Sequence, residues 1–216
     1  MRFLGIDTTK KQSYLWLYND DKSSSKVLPP YEKHSETLLI NIDKFLTEND
    51  VKLSDIDVFV NVSGPGSFTG IRIGLSTVKA FAYALNKKIV NISVFDLLRT
   101  YVKNGILLLE CTSSSVYFCE IRQSKIVEYG VVDYSELSNK FADKNIFVLS
   151  DEHIVVPDTY KANVIDNYSE IALASMMLHV KNADYSDNPE PFYIQLSQAE
   201  RSLLEKERKN ENNKGE

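Results

Sequence analysis

Ser63-Gly64-Pro65-Gly66-Ser67-Phe68-Thr69-Gly70-Ile71-Arg72-Ile73-Gly74 is the stretch around which this 216-residue chain is organised. Before it, Asp57-Val58-Phe59-Val60-Asn61-Val62 has the β-branched, apolar composition of a buried strand. After it, Ile71 to Asn86 reads as a long helix, so the motif is a strand-to-helix turn. Gly64 and Gly66 permit positive φ or close backbone approach, Pro65 stiffens the turn, and Ser67 or Thr69 can cap the helix. A capped turn needs one or two glycines; four of the chain's eight fall between residues 64 and 74.

Arg72 falls in the first helical turn, where the macrodipole disfavours a cation by about 0.3–1 kcal/mol. An acidic group is expected to face it, a carboxylate before a bound anion. Two phosphate-binding motifs fail on spacing. Gly70 is followed by Ile71 where a P-loop needs lysine, and Thr69 stands three residues after Gly66 where a dinucleotide fingerprint needs glycine.

The chain has 25 basic and 30 acidic residues, for a net charge of −5. Nucleic-acid binding through counterion release needs clustered Lys and Arg, so a nucleic-acid role is expected to run through a partner. Met1-Arg2-Phe3-Leu4-Gly5-Ile6-Asp7 reaches a carboxylate before a signal-peptide core can form, and no apolar run approaches membrane-spanning length. A cytoplasmic location without membrane contact is the expectation. Cys111 and Cys119, eight residues apart on expected strands, fit no metal or disulfide pattern and read as small buried hydrophobes. His34, His153 and His179 are scattered and read as cap or surface residues, so no metal site is expected.

Residues 2–7 and 13–18 read as a hairpin, followed by a loop with Pro29-Pro30 and a helix opened by His34-Ser35-Glu36, with Ser35 as its cap. Beyond the long helix come a strand at 89–92 and a short helix from 94 to about 103. The second half repeats the first: Ile106 to Thr112 and Val116-Tyr117-Phe118 lie at a constant offset from Phe3 to Thr9 and Ser13-Tyr14-Leu15, each strand meeting an acidic residue. Strands at 125–132 and 145–149 and helices at 134–141 and 168–181 follow. An extended piece at 189–195 and a charged helix at 197–209 close the chain, with residues from 210 frayed. The division expected is an N-terminal lobe over 1–104, a C-terminal lobe over 105–200 and a charged tail over 201–216.

The glycine motif with Ser76, Thr77 and Lys79, the Ile6-Asp7-Thr8 strand end, the His34-Ser35-Glu36 helix start and the closing Pro191-x-Tyr193-x-x-x-Ser197-Gln198-Ala199-Glu200 together resemble the TsaB (YeaZ) family. That resemblance implies an α/β fold of the actin-like, sugar-kinase and Hsp70 type, built from duplicated βαβ lobes. It implies a non-catalytic subunit that binds and activates TsaD, which transfers the threonylcarbamoyl group to the adenosine beside the anticodon of tRNAs reading codons that begin with A. TsaE, an ATPase, joins that assembly, and tRNA is contacted only indirectly. No cofactor is implied for this chain alone; ATP or ADP at the shared interface stays open. The family has Asp-Ala-Arg where this chain has Glu110-Cys111-Thr112, and Arg where it has Gln195.

The residues point away from catalysis as well. ATP-binding relatives of the fold carry glycines in both hairpin turns, which here read Asp7-Thr8-Thr9-Lys10 and Glu110-Cys111-Thr112-Ser113. TsaD holds its metal with a His-x-x-x-His pair where this chain has Ser93 to Leu98, with Asp96 the sole ligand candidate. The long helix carries one apolar stripe suited to its own sheet, Ile71, Leu75, Val78, Ala82 and Leu85, and a second of Ile73, Thr77, Ala80, Phe81 and Ala84. With Leu39 and Leu46 of the preceding helix, the second stripe is the expected partner surface, four helices pairing across it in the family. The competing readings are a small ATP-dependent or metallopeptidase-like enzyme of the same fold, and a self-associating homodimer using the same helices.

Overall fold

Ten strands and five helices are set out by the computed structural model, which describes residues 1–29, 34–157 and 160–195. In the first half, β1 (Arg2–Asp7), β2 (Ser13–Asn19) and β3 (Lys22–Leu28) precede α1 (His34–Glu48), β4 (Val58–Val62), α2 (Phe68–Leu85), β5 (Lys88–Ile92) and α3 (Val94–Val102). In the second, β6 (Gly105–Glu110), β7 (Ser115–Arg122) and β8 (Lys125–Asp133) precede α4 (Leu137–Lys140), β9 (Ile146–Leu149), β10 (Asn163–Ile165) and α5 (Tyr168–Lys181).

Each half builds one five-stranded mixed sheet, in the orders β3-β2-β1-β4-β5 and β8-β7-β6-β9-β10. In both, the first three strands form an antiparallel meander and the last two lie parallel to the central one. The shared order makes the fold a duplicated, actin-like α/β architecture, which the offset between the two apolar hairpins had indicated.

Strand alternation explains the layers. On β1, Phe3 faces a core between the two sheets while Leu4 and Ile6 face the outer core under α1 and α2. The inter-sheet core is filled by α3 and α5, with Phe95, Leu98, Ala172 and Met176 packed against Trp16, Val60, Leu107 and Cys119. Leu38, Ile42, Phe45 and Leu46 of α1 join Val78 and Ala82 of α2 on the outer side, and Leu137 and Phe141 cover the far face of the second sheet.

Several expectations need revision. β3 was not expected, because Lys22-Ser23-Ser24-Ser25-Lys26 has no apolar period; as an edge strand it is largely solvated and needs none. The three-residue β10 is too short to leave a pattern. α1 starts at His34, one residue before the expected Ser35 cap. The helix expected over 134–141 is a 3₁₀ turn (Tyr134–Glu136) followed by the single turn of α4. Cys111 lies just past β6, half-buried in a turn, whereas Cys119 is fully buried on β7 and its thiol is pushed up to about 12 by that burial. The expected helix at 197–209 and the tail from 201 fall outside the described residues. Residues 186–195, which the sequence reading groups with the second lobe, run back along the first: Ser186 N–H donates to Ile89 O, and Phe192 N–H to Ser63 O.

Candidate functional site

The glycine loop is a clamp closed on two other pieces of the chain. Gly64 and Gly66 both adopt positive φ, +123° and +154°. A side chain on Gly64 would strike Phe192 O, and one on Gly66 would strike Thr9 O. Gly70 and Gly74 need space rather than conformational freedom, because Thr8 O and Thr8 Oγ1 occupy the volumes their Cβ atoms would fill. Hydrogen bonds seal the same contacts: Ser67 N–H donates to Thr9 O (2.7 Å), Thr8 Oγ1 to Gly70 O (2.7 Å) and Phe192 N–H to Ser63 O (2.8 Å), while Val94 N–H, at the start of α3, donates to Gly64 O (2.8 Å). Of the two expected caps, Ser67 is the one used, its Oγ accepting from Gly70 N–H at 3.2 Å. The helix thereby begins at Phe68, three residues earlier than its apolar period shows.

Arg72 is exposed, and its described contacts are with aromatics: Nε donates to the Tyr193 hydroxyl at 2.9 Å, and the guanidinium lies over the rings of Phe68 and Tyr193. Those two rings stack at 4.1 Å with 12° between planes. Phe192 and Tyr193, far away in sequence, thus belong to the motif.

The turn gripped by the clamp starts from Asp7, fully buried at the end of β1, whose Oδ1 accepts from Thr9 N–H (2.8 Å) and Thr9 Oγ1 (2.6 Å) and whose Oδ2 accepts from Tyr168 Oη (2.7 Å). Burial and the Asp7 carboxylate hold the Tyr168 hydroxyl well above its usual range. Lys10 enters the same interlobe space, its Nζ 3.7 Å from the centre of the Tyr168 ring, 3.5 Å from Asp151 and 3.7 Å from Glu152. Tyr14 Oη donates to Asp151 at 2.7 Å, Glu110 N–H donates to Glu152 at 2.6 Å, and Lys11 pairs with Glu110 at 2.8 Å.

Burial is the largest influence on Glu152 and raises its carboxyl from 4.5 to about 7, against the opposing pull of Lys10 and the Glu110 N–H. The folded protein therefore binds a proton here that the unfolded chain releases between pH 4.5 and 7, and stability is expected to fall as pH rises through that window. The slope from this group approaches about 1.4 kcal/mol per pH unit. Glu152→Gln, which keeps an acceptor for Glu110 N–H, is expected to flatten it. Urea unfolding at half-unit pH steps measures the difference, and equal slopes in both proteins contradict it.

The remaining candidates divide by exposure. On α2, Ala80 and Ala84 are exposed, Ile73, Thr77 and Phe81 half-buried, and Thr69 exposed at the helix start. Tyr83, absent from the expected stripe, is the most exposed large hydrophobic side chain of the helix at 92%. On α1, Leu39 is exposed at 59% and Ile40, also unforeseen, at 55%. Leu46 is not on this surface: it is 4% exposed and packs in the outer core, since the apolar face of α1 turns it toward the sheet. Among the described residues no group of His, Cys, Asp and Glu could hold a metal ion, and no helix is long and apolar enough to cross a membrane. Asp96, the one ligand candidate noted in the sequence, accepts from Ser93 Oγ and Arg99 Nε.

A two-lobed, actin-like protein whose glycine loop grips its own first hairpin is the class these features define. A family model described as TsaD, tRNA N6-adenosine threonylcarbamoyltransferase, matches residues 25–126. The tRNA threonylcarbamoyladenosine biosynthesis protein TsaB of Escherichia coli is 25% identical over 169 residues, 75% of this chain and 73% of that protein. TsaB of Bacillus subtilis is 30% identical over 106 residues, 49% of this chain and 45% of that protein. The solved structure of YeaZ from Pseudomonas aeruginosa shares the fold, with a TM-score of 0.67 at 19% identity over 89% of this chain and 99% of its own. The chain is thus similar to proteins of the TsaB (YeaZ) family, in sequence to the two TsaB proteins and in fold to YeaZ.

Proposed function

We propose that this chain is a non-catalytic subunit of tRNA threonylcarbamoyladenosine biosynthesis that binds and activates TsaD, in cells alongside TsaE. The observation that carries the reading is the outer layer of α1 and α2, where Leu39, Ile40 and Tyr83 stand exposed beside the small residues Ala80 and Ala84. Small residues let a partner helix approach closely, and exposed aliphatic and aromatic side chains supply the area it buries. The TsaD-type family match over 25–126 spans both helices, which favours a pseudo-twofold pairing of like helices from two related chains. A non-catalytic role is supported by the interlobe space, where Lys10, Asp151 and Glu152 engage one another instead of facing an open cleft. On this reading the chain binds no nucleotide alone.

Ala80→Arg tests the surface. Ala80 is exposed, so the variant should melt within about 1 °C of the wild type, while a charge in a dry helix interface weakens TsaD binding by at least tenfold. Titration calorimetry against TsaD from the same source, with and without ATP and TsaE, measures it. Unchanged affinity, or no complex with the wild-type chain, removes the basis for the reading and leaves self-association through the same helices.

A further inference from the structure

We propose that Lys10 is the bolt of an interlobe lock: the first lobe drives a buried ammonium into an acidic socket of the second, and the turn that carries it is the one the glycine loop holds. The Lys10 side chain is 8% exposed, that of Glu152 8% and that of Asp151 18%. Long charged side chains are rarely buried to this degree unless paired, because desolvating an ammonium costs several kcal/mol. The socket supplies compensation from three directions: Asp151 and Glu152 beyond the end of β9, the face of Tyr168 on α5, and more remotely the ring of Tyr14 on β2.

Both sides of the socket are braced. Glu110 N–H donates to Glu152 from within the second lobe, and Tyr14 Oη, from the same hairpin as Lys10, donates to Asp151, so both carboxyl groups are held where Lys10 meets them. Lys10 Nζ and Asp151 Oδ1 nevertheless have no hydrogen-bond partner at close range, so the pairing is ionic rather than a tight hydrogen bond. Such a bolt is held by charge across a gap and withdraws without breaking a short bond.

Its position gives it reach. Lys10 adjoins Thr8 and Thr9, whose carbonyls fill the space at Gly70 and Gly66 and whose Thr9 O accepts the Ser67 N–H at the cap of α2. Withdrawal of Lys10 loosens the polar edge of the interlobe contact, where Glu152 and Asp151 meet the first hairpin, and slackens the first turn of α2 together with it. The inference concerns the chain alone and stands whether or not α1 and α2 bind TsaD.

Hydrogen exchange resolved to single amides tests it. Lys10→Met keeps the stem and removes the charge; exchange at Thr9, Ser67 and Glu110 N–H is expected to quicken about tenfold or more while β4 and β5 amides keep their wild-type rates. Lys11→Met, at the 61%-exposed neighbour that pairs with Glu110, is expected to change these amides little. Wild-type protection at Thr9, Ser67 and Glu110 in a folded Lys10→Met protein overturns the lock. Should Lys10→Met not fold, Tyr14→Phe decides: it strips the brace from Asp151 and keeps the ring, so faster exchange at the same three amides supports the lock and unchanged exchange overturns it.

Discussion

Gly70→Ala is expected to destabilise the protein by about 3–5 kcal/mol, or to prevent folding at 37 °C, although alanine is the better helix former by about 1 kcal/mol. Gly70 lies in the first turn of α2, and the added methyl would occupy the position of Thr8 O. Backbone is the obstacle, not the end of a flexible side chain, and Thr8 cannot retreat because its hydroxyl is bonded to Gly70 O and its neighbour Thr9 to Ser67 N–H. Gly130→Ala is the comparison. There a methyl meets the Phe118 ring at 3.0 Å, a side chain that can shift, so about 1 kcal/mol or less is expected. Urea denaturation of both variants measures the gap; a Gly70→Ala protein as stable as Gly130→Ala contradicts the close approach.

Asp7→Ala carries the second large effect, about 3–5 kcal/mol, for a different reason. Removing the carboxylate leaves Thr9 N–H, Thr9 Oγ1 and Tyr168 Oη without their acceptor at a site with no solvent access. Asp7→Asn retains one acceptor oxygen and most of the volume, and about 1–2 kcal/mol is expected. The ordering Ala worse than Asn separates lost hydrogen bonds from lost charge. Equal losses in the two variants would make the charge, and not the three donors, the reason Asp7 is buried.

The glycine loop was legible because its requirement is local: positions that must lack Cβ announce themselves as glycine wherever the contacting atoms come from. The duplication was legible because β1 and β6 are buried on both faces and keep apolar runs that can be laid over each other. What was not legible depends on distant pairs. Lys10 read as one residue of a polar turn, since Asp151 and Glu152 stand more than a hundred residues away and no period links them. The helix dipole raised the expectation of an acidic group facing Arg72 but gave no hint of its contacts with Phe68 and with Tyr193 at the other end of the described chain. Helical period ranked Leu39 and Leu46 alike, because spacing shows that a stripe exists without saying which edge of it meets the sheet.

The return of residues 186–195 to the first sheet changes what a lobe means in this chain. Ser186 bonds to β5 and Phe192 to the residue that precedes the glycine loop, so the first lobe is assembled from both ends of the described chain and the second is an insert within it. Two crossings, one at 103–104 and one before 186, bind the insert to its host, and cutting either alone leaves the other in place. The halves that duplication made alike are therefore unequal in dependence: the first sheet borrows its last stitch from beyond the second.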